Sequence, residues 1–261
     1  MILIKTAEEV ELLRQSNLLV SKTLAEVAKH VAPGVSTEKL DQIAETYIRD
    51  QGAVPGFLEY QGYPKTLCTS VNSQVVHGIP SKKVILEEGD LVSVDCGVVM
   101  NGFYGDTAFS FEVGEVSEEV RRLMTTTRES LLKGVEQAVE GKRIGDIGFA
   151  VQQHAESNGF SVVREMVGHG LGRNLHETPE VPNYGRKGTG PRLKKGMVLC
   201  IEPMINMGKR QITQEGDGWT IRAADNLPSA HFELAVAIDK GKADVLSTFD
   251  YIDEVLNKQN S

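Results

Sequence analysis

Seven positions in this chain of 261 residues recur at one constant spacing. Leu24, Gly34, Leu40 and Gly52 return 107 residues later as Leu131, Gly141, Ile147 and Gly159, and Leu86, Gly89 and Asp95 return at the same displacement as Leu193, Gly196 and Glu202. One match of Leu or Gly is common by chance, but a displacement shared by all of them marks an internal repeat. It constrains the chain to two related halves, about 24–110 and 131–240, each with two helices followed by strands. Such halves form an α+β fold in which helices wrap a shared antiparallel sheet. Asp95 and Glu202 then sit at equivalent positions and face each other across a pseudo-two-fold axis. Two carboxylates converging at the centre of a sheet repel unless they are protonated or bridged by cations.

Local signals fill in the halves. Thr6 and Glu9 form a capping box, and Val10, Leu13, Leu24, Val27 and Val31 keep a helical period until Pro33-Gly34 ends it. Ser36 or Thr37 caps a second helix with Leu40, Ile43, Ala44, Tyr47 and Ile48 on one face, closed by Gly52. A loop over 53–66 is followed by strand-like runs at Val84–Leu86 and Leu91–Val99, and Asn101-Gly102 is the strongest hairpin signal in the chain. Two further helices are expected at Glu118–Val139 and Ile144–Asn158, with strand and loop beyond. At roughly 150 residues per domain the length admits one or two domains; the repeat points to one, 1–261, with a single central site.

Composition excludes several functions. A formal charge of −8 argues against bulk nucleic-acid or anionic-membrane binding. Cys68, Cys96 and Cys200 are an odd set without a CxxC pair, so neither a disulfide framework nor a thiolate zinc site is supported, and a reducing cytoplasm fits. The start, acidic by Glu8, does not read as a signal peptide, and no run approaches the roughly 18 apolar residues of a membrane span.

The hairpin permits a geometric test. With a two-residue turn Met100 pairs with Phe103 and Gly97 with Asp106, so Asp95 lies on the face of Asp106 and diagonal to it, at the roughly 7–8 Å that lets two carboxylates share a metal. Asp95 follows the apolar run Leu91–Val94, and a carboxylate there needs a partner. Glu202 and Glu233 border apolar strand-like runs, where Glu is unusual, and His169 and His176 lie in GHGLGRNLHE. Oxygen donors with one imidazole suit two divalent ions with bridging carboxylates, which would generate a hydroxide at neutral pH and polarise a carbonyl. Hydrolysis is the natural reaction.

The order Asp95, Asp106, His169, Glu202, Glu233, with VVHGIPS at 75–81, GHGLGRNLHETP at 168–179 and IEPM at 201–204, resembles type I methionine aminopeptidase over essentially the whole chain. The resemblance implies the pita-bread fold and removal of initiator methionine from nascent polypeptides by a dinuclear site holding Co, Mn, Fe or Zn. It implies that Asp95 and Asp106 bind metal, that Asp106 and Glu233 bridge the ions, and that His169 and Glu202 complete the ligands of the second ion, with Glu202 as general base. It places His77 at the scissile amide nitrogen and His176 at the carbonyl oxygen. Tyr60, Tyr63, Cys68, Leu175 and Trp219 fall where that family lines its methionine pocket, although Trp219 also reads as simple core or lid packing.

Three positions depart from the family pattern: Leu234 where a His is frequent, Leu175 where an aromatic is frequent, and Phe57 where a cysteine occurs. Gly168-x-Gly170-x-Gly172 lacks a P-loop lysine and is not read as a nucleotide site. Arg186, Lys187, Arg192, Lys194 and Lys195 form either a solvated loop or a contact for ribosomal RNA. Cys96 and Cys200 read as packing residues. Proline-specific aminopeptidases and dipeptidases of the same fold normally carry an additional N-terminal domain, for which the helix starting near Thr6 leaves no room. Non-catalytic relatives lose ligands that are all present here, and the 25 residues between His176 and Glu202 are too few for the helical insertion of the type II subfamily. A monomer is the default expectation.

Overall fold

A computed structural model describes residues 2–259; Met1, Asn260 and Ser261, which the expected single domain includes, lie outside the described residues. Helix α1 (Ala7–Ala28) opens with the Thr6/Glu9 capping box. Helix α2 (Thr37–Asp50) is capped by Ser36, whose hydroxyl accepts from the Lys39 amide at 3.2 Å. Strands β1 (Val54–Pro55), β2 (Leu67–Val71) and β3 (Gln74–Val76) precede the long hairpin β4 (Leu91–Met100) and β5 (Phe103–Glu112). Asn101 and Gly102, at φ 55° and 76°, supply the left-handed turn such a hairpin requires. Strands β1 and β2 pair with β4 on one side and β5 pairs with it on the other. Helix α1 crosses this hairpin closely: a Cβ on Gly105 would sit 2.5 Å from the Ser16 carbonyl carbon.

Helices α3 (Glu118–Val135) and α4 (Ile144–Ser157) follow, then the short β6 (Ser161–Val162). Both ends of α4 lie 107 residues beyond those of α2, β6 lies 107 beyond β1, and α3 ends 107 beyond α1. Strands β7 (Gly168–Gly170), β8 (Glu177–Val181), β9 (Val198–Ile201), β10 (Met204–Asn206), β11 (Ile212–Gln214), β12 (Ile221–Ala223), β13 (Ser229–His231), β14 (Leu234–Ala237) and β15 (Asp244–Val245) complete the sheets, and α5 (Asp250–Gln259) packs on α1. The largest second-half sheet runs β15-β14-β9-β7-β8, beside the three-stranded sets β13-β10-β6 and β11-β12-β3. Where β4 is continuous, its counterpart breaks into β9 and β10 at Glu202-Pro203, because proline has no N–H for the ladder.

Four local expectations differ. Helix α1 stops at Ala28, short of Pro33-Gly34. Residues 84–86 form no strand; they bond to the cap of α2 through Gly34 N–H to Leu86 O, Leu86 N–H to Val35 O and Thr37 N–H to Val84 O. The third helix stops at Val135, not Val139. The terminal α5 was not expected, yet Tyr251, Ile252, Val255 and Leu256 carry a helical period and Thr248 accepts from the Asp250 amide at 3.1 Å. Among the described residues no helix is long and apolar enough to cross a membrane.

Candidate metal centre

The ladder β4–β5 pairs Met100 with Phe103, Gly97 with Asp106 and Asp95 with Ala108 without a bulge. Asp95 and Asp106 therefore share one face on a diagonal, as the hairpin count requires. Asp106, 4% exposed, is pinned by Asn17 of α1, whose side-chain oxygen accepts the Asp106 N–H at 3.1 Å. The second half meets the same strand. The Glu233 N–H donates to Ala108 O at 2.9 Å, which seats the 2%-exposed Glu233 two residues along β5 from Asp106.

Glu202 follows β9 directly, its carbonyl taken by the Asn183 side-chain amide at 3.1 Å. His169 on β7 places Nδ1 3.0 Å from the Gly170 carbonyl. A carbonyl only accepts, so Nδ1 carries the proton and Nε2 presents its lone pair. That nitrogen lies 3.4 Å from Glu202 Oε1 and 3.7 Å from Asp106 Oδ2. A lone pair facing carboxylate oxygens is repulsive unless a cation or proton lies between them.

Electrostatics agree. Burial pushes the Asp95 carboxyl up to about 6. Asp106 is driven well above the usual range by burial and by the charges of Glu233, Asp95 and Glu202. Glu202 rises well above it too, through burial and the charge of Asp95, and so does Glu233, through burial and the charges of Glu202 and Asp95. Asp95 Oδ1, Asp106 Oδ1 and Glu233 Oε1 are buried without a hydrogen-bond partner. Donor atoms of Asp106, His169, Cys200 and Glu233 all lie within 4.8 Å of one another. Orphaned carboxylate oxygens with one neutral imidazole are a donor set that fits hard or borderline divalent cations.

Cys200 packs in the apolar core, as expected. Its sulfur also borders the donor cluster, where burial and the charge of Glu233 push the thiol well up.

The carboxylates floor a cavity of about 320 Å³ that all the other expected residues line. His77 follows β3 at φ 61° and is held neutral by burial, its pKa lowered to about 4. His176 stands edge-on to His169 at 4.4 Å between ring centres, and its Nδ1 is 3.0 Å from the Tyr60 hydroxyl. Buried Tyr63 is anchored through its hydroxyl to the carbonyls of Leu67 and Gly78, and Trp219 stands edge-on against it at 5.1 Å. Cys68 and Leu175 close the apolar wall, with Phe57 beside them.

Residues 11–239 match the model of metallopeptidase family M24. The chain belongs to that family. Methionine aminopeptidase of Clostridium acetobutylicum is 47% identical over 247 residues, covering 95% of this chain and 99% of the relative. Methionine aminopeptidase 1 of Bacillus subtilis is 46% identical over 247 residues, covering 95% of this chain and 99% of its own. The crystal structure of methionine aminopeptidase from Rickettsia prowazekii superposes with a TM-score of 0.93 at 40% identity, covering 95% of this chain and 100% of the other. Xaa-Pro dipeptidase from Bacillus anthracis shares the fold at a TM-score of 0.75 and 22% identity, and the match covers 94% of this chain but 62% of the dipeptidase. The architecture is the pita-bread fold of these proteins.

In this M24 metallopeptidase the site also contains side chains not singled out beforehand. Met204, Met166, Glu165, Gln61 and His231 line the cavity. The signal for His231 was present: it stands two residues before Glu233, and alternate residues of an extended segment share a face. Phe232 between them points into the core, edge-on to Phe109 at 5.0 Å. Leu234, by contrast, pairs with Ile201 and packs in the apolar core.

Proposed function

We propose that the chain removes N-terminal methionine from nascent polypeptides whose second residue is small. The observation that carries this reading is the junction of two unlike surfaces in one cavity: four carboxylates, those of Asp106 and Glu233 buried, with an unprotonated His169 Nε2, and an apolar wall of Tyr63, Cys68, Leu175 and Trp219. A thioether side chain suits such a wall. Asp95, Asp106, His169, Glu202 and Glu233 would hold two divalent ions, with Asp106 and Glu233 serving both. Such ions would supply a water acidic enough to ionise near neutrality and an electrophile for the substrate carbonyl. Glu202 would accept the proton of that water as general base. The Tyr60 hydroxyl lies 3.0 Å from His176 Nδ1; in the tautomer where that hydroxyl donates, Nε2–H is left to stabilise the carbonyl oxygen as charge develops there. His77 hydrogen-bonds the scissile nitrogen.

The chain acts as a single catalytic unit of two related halves, a reading supported by the matched displacement of α2 and α4. It works as a cytoplasmic monomer with Co, Mn, Fe or Zn. Exposed Arg186, Lys187, Arg192 and Lys194 provide a transient, salt-dependent contact with the ribosome.

The test is peptide cleavage after chelation and re-addition of Mn, Co or Fe. Release of Met from Met-Ala-Ser, but not from Met-Lys-Ser, supports the reading. Cleavage confined to X-Pro peptides would sink it in favour of a proline-specific peptidase.

A further inference from the structure

His231 lies inside the site and has no part in the chemistry assigned above. It is 1% exposed, its Nε2 is buried without a hydrogen-bond partner, and that nitrogen stands 3.6 Å from Glu202 Oε2. Its backbone is held on both sides. Ser110 Oγ accepts the His231 N–H at 3.0 Å and donates to its carbonyl at 2.9 Å, and His231 pairs with Met204, two residues past Glu202. Glu202 therefore stands between two imidazoles. His169 presents a lone pair 3.4 Å from Oε1, because its proton is committed to Gly170. On the other side His231 Nε2 faces Oε2, and a proton on that nitrogen would offer an ionised Glu202 a donor.

We propose that His231 is a positioning residue for Glu202: its Nε2–H holds Oε2, fixes the rotation of the carboxylate and keeps Oε1 turned toward His169 and the metal. This rests on the function proposed above for Glu202, and it adds a residue through which this chain orients its general base.

The experiment compares His231→Gln, His231→Asn and His231→Leu in the full chain. A glutamine amide nitrogen reaches the place of Nε2, whereas that of asparagine reaches only Nδ1. Glutamine is expected to keep kcat within about 3-fold, and asparagine and leucine to lose about 10²-fold in kcat with KM within about 2-fold, the scale of a misplaced catalytic group. Equal loss with glutamine and leucine overturns the proposal. If leucine fails to fold, the glutamine–asparagine pair decides.

A second readout needs no peptide. Long-range proton–nitrogen spectra of histidine-labelled protein should show His231 protonated on Nε2 both metal-free and zinc-loaded, with its resonance moved by Glu202→Gln. Loss of the Nε2 proton with a coordination shift on zinc loading would make His231 a ligand and end the positioning role. Failure of wild-type protein to release methionine counts against the proposed function alone, and these spectra still decide His231.

Discussion

Glu233 and Ala108 are joined by a single backbone hydrogen bond of 2.9 Å that ties the second half of the chain to the hairpin of the first. Asp106 lies two residues before Ala108 on the same face of β5, so this bond sets the spacing of the two carboxylates assigned to bridge metal. The cavity is thus a junction between halves, and its acidity follows from strands that meet there.

Gathering those carboxylates costs stability in the absence of cations. Asp106→Asn should raise the melting temperature of chelated protein, because it removes a charge that Glu233, Asp95 and Glu202 all oppose. The same variant should lose most of the melting-temperature gain produced by added Mn or Co. Calorimetry with and without metal checks both; an unchanged gain would show that Asp106 is not a ligand.

The metal-free protein should lose stability as pH rises above about 6.5. Asp106, Glu202 and Glu233, raised well above the ordinary carboxylate range, hold protons when folded that they release on unfolding, while Asp95, raised to about 6, contributes below that window. Stability linked to those protons is full below the ordinary carboxylate range and disappears as pH climbs through the folded values. His77 and His169, lowered to about 4 and about 3, act below their ordinary 6.5, where unfolding takes up protons and the folded state is penalised. Metal reverses the upper limb, since deprotonated ligands bind it best. Melting curves in chelator that rise steadily from pH 6.5 to 8 would contradict this.

Much of the centre was legible because a two-residue turn at Asn101-Gly102 dictates the whole register of β4 and β5, and with it the Asp95–Asp106 diagonal. Glu202 and Glu233 stood out as charges beside apolar runs. What was not legible depended on contacts distant in sequence. Nothing local told that residues 84–86 would bond to the α2 cap and form no strand, or that Cys200 would reach Glu233. Asn17, ten residues into α1, supports Asp106 only because Gly105 lets the helix approach. His231 is the exception: its period with Glu233 was visible, but a lone histidine in an apolar context reads as packing until Glu202 is seen beside it.

Lys5 and Glu177 form an ion pair in which both side chains are only 6% exposed, tying the extended start of the chain to the residue after His176. Glu177 also accepts from the Asn174 amide at 3.4 Å, and Gly172 leaves the room, since a Cβ there would lie 2.3 Å from Glu177 Oε1. Lys5→Met should destabilise by about 3–5 kcal/mol, because it strands a buried carboxylate, while Lys5→Met with Glu177→Leu should recover part of the loss. Urea unfolding of the single and double variants measures this. Near-neutral Lys5→Met would mean the pair is solvated in solution.

Trp219, the only tryptophan in the chain, makes the pocket wall directly observable. It is held by Asp217, whose carboxylate accepts the amides of Trp219 and Thr220 at 2.8 and 2.9 Å and the Thr220 hydroxyl at 2.6 Å. Burial alone would raise the Asp217 pKa, but those hydrogen bonds outweigh it and hold the carboxyl below its ordinary value. Asp217→Ala should free the loop and let the indole leave the Tyr63 edge. KM for a Met-Ala-Ser peptide should then rise about 10-fold with kcat changed much less, the pattern of lost ground-state binding. Tryptophan emission should shift to the red, and its response to added methionine should shrink. Asp217→Asn keeps an acceptor oxygen and should recover most of both signals. If emission shifts while KM stays at the wild-type value, Trp219 is a packing residue at the mouth of the cavity and not a wall that the methionine side chain touches.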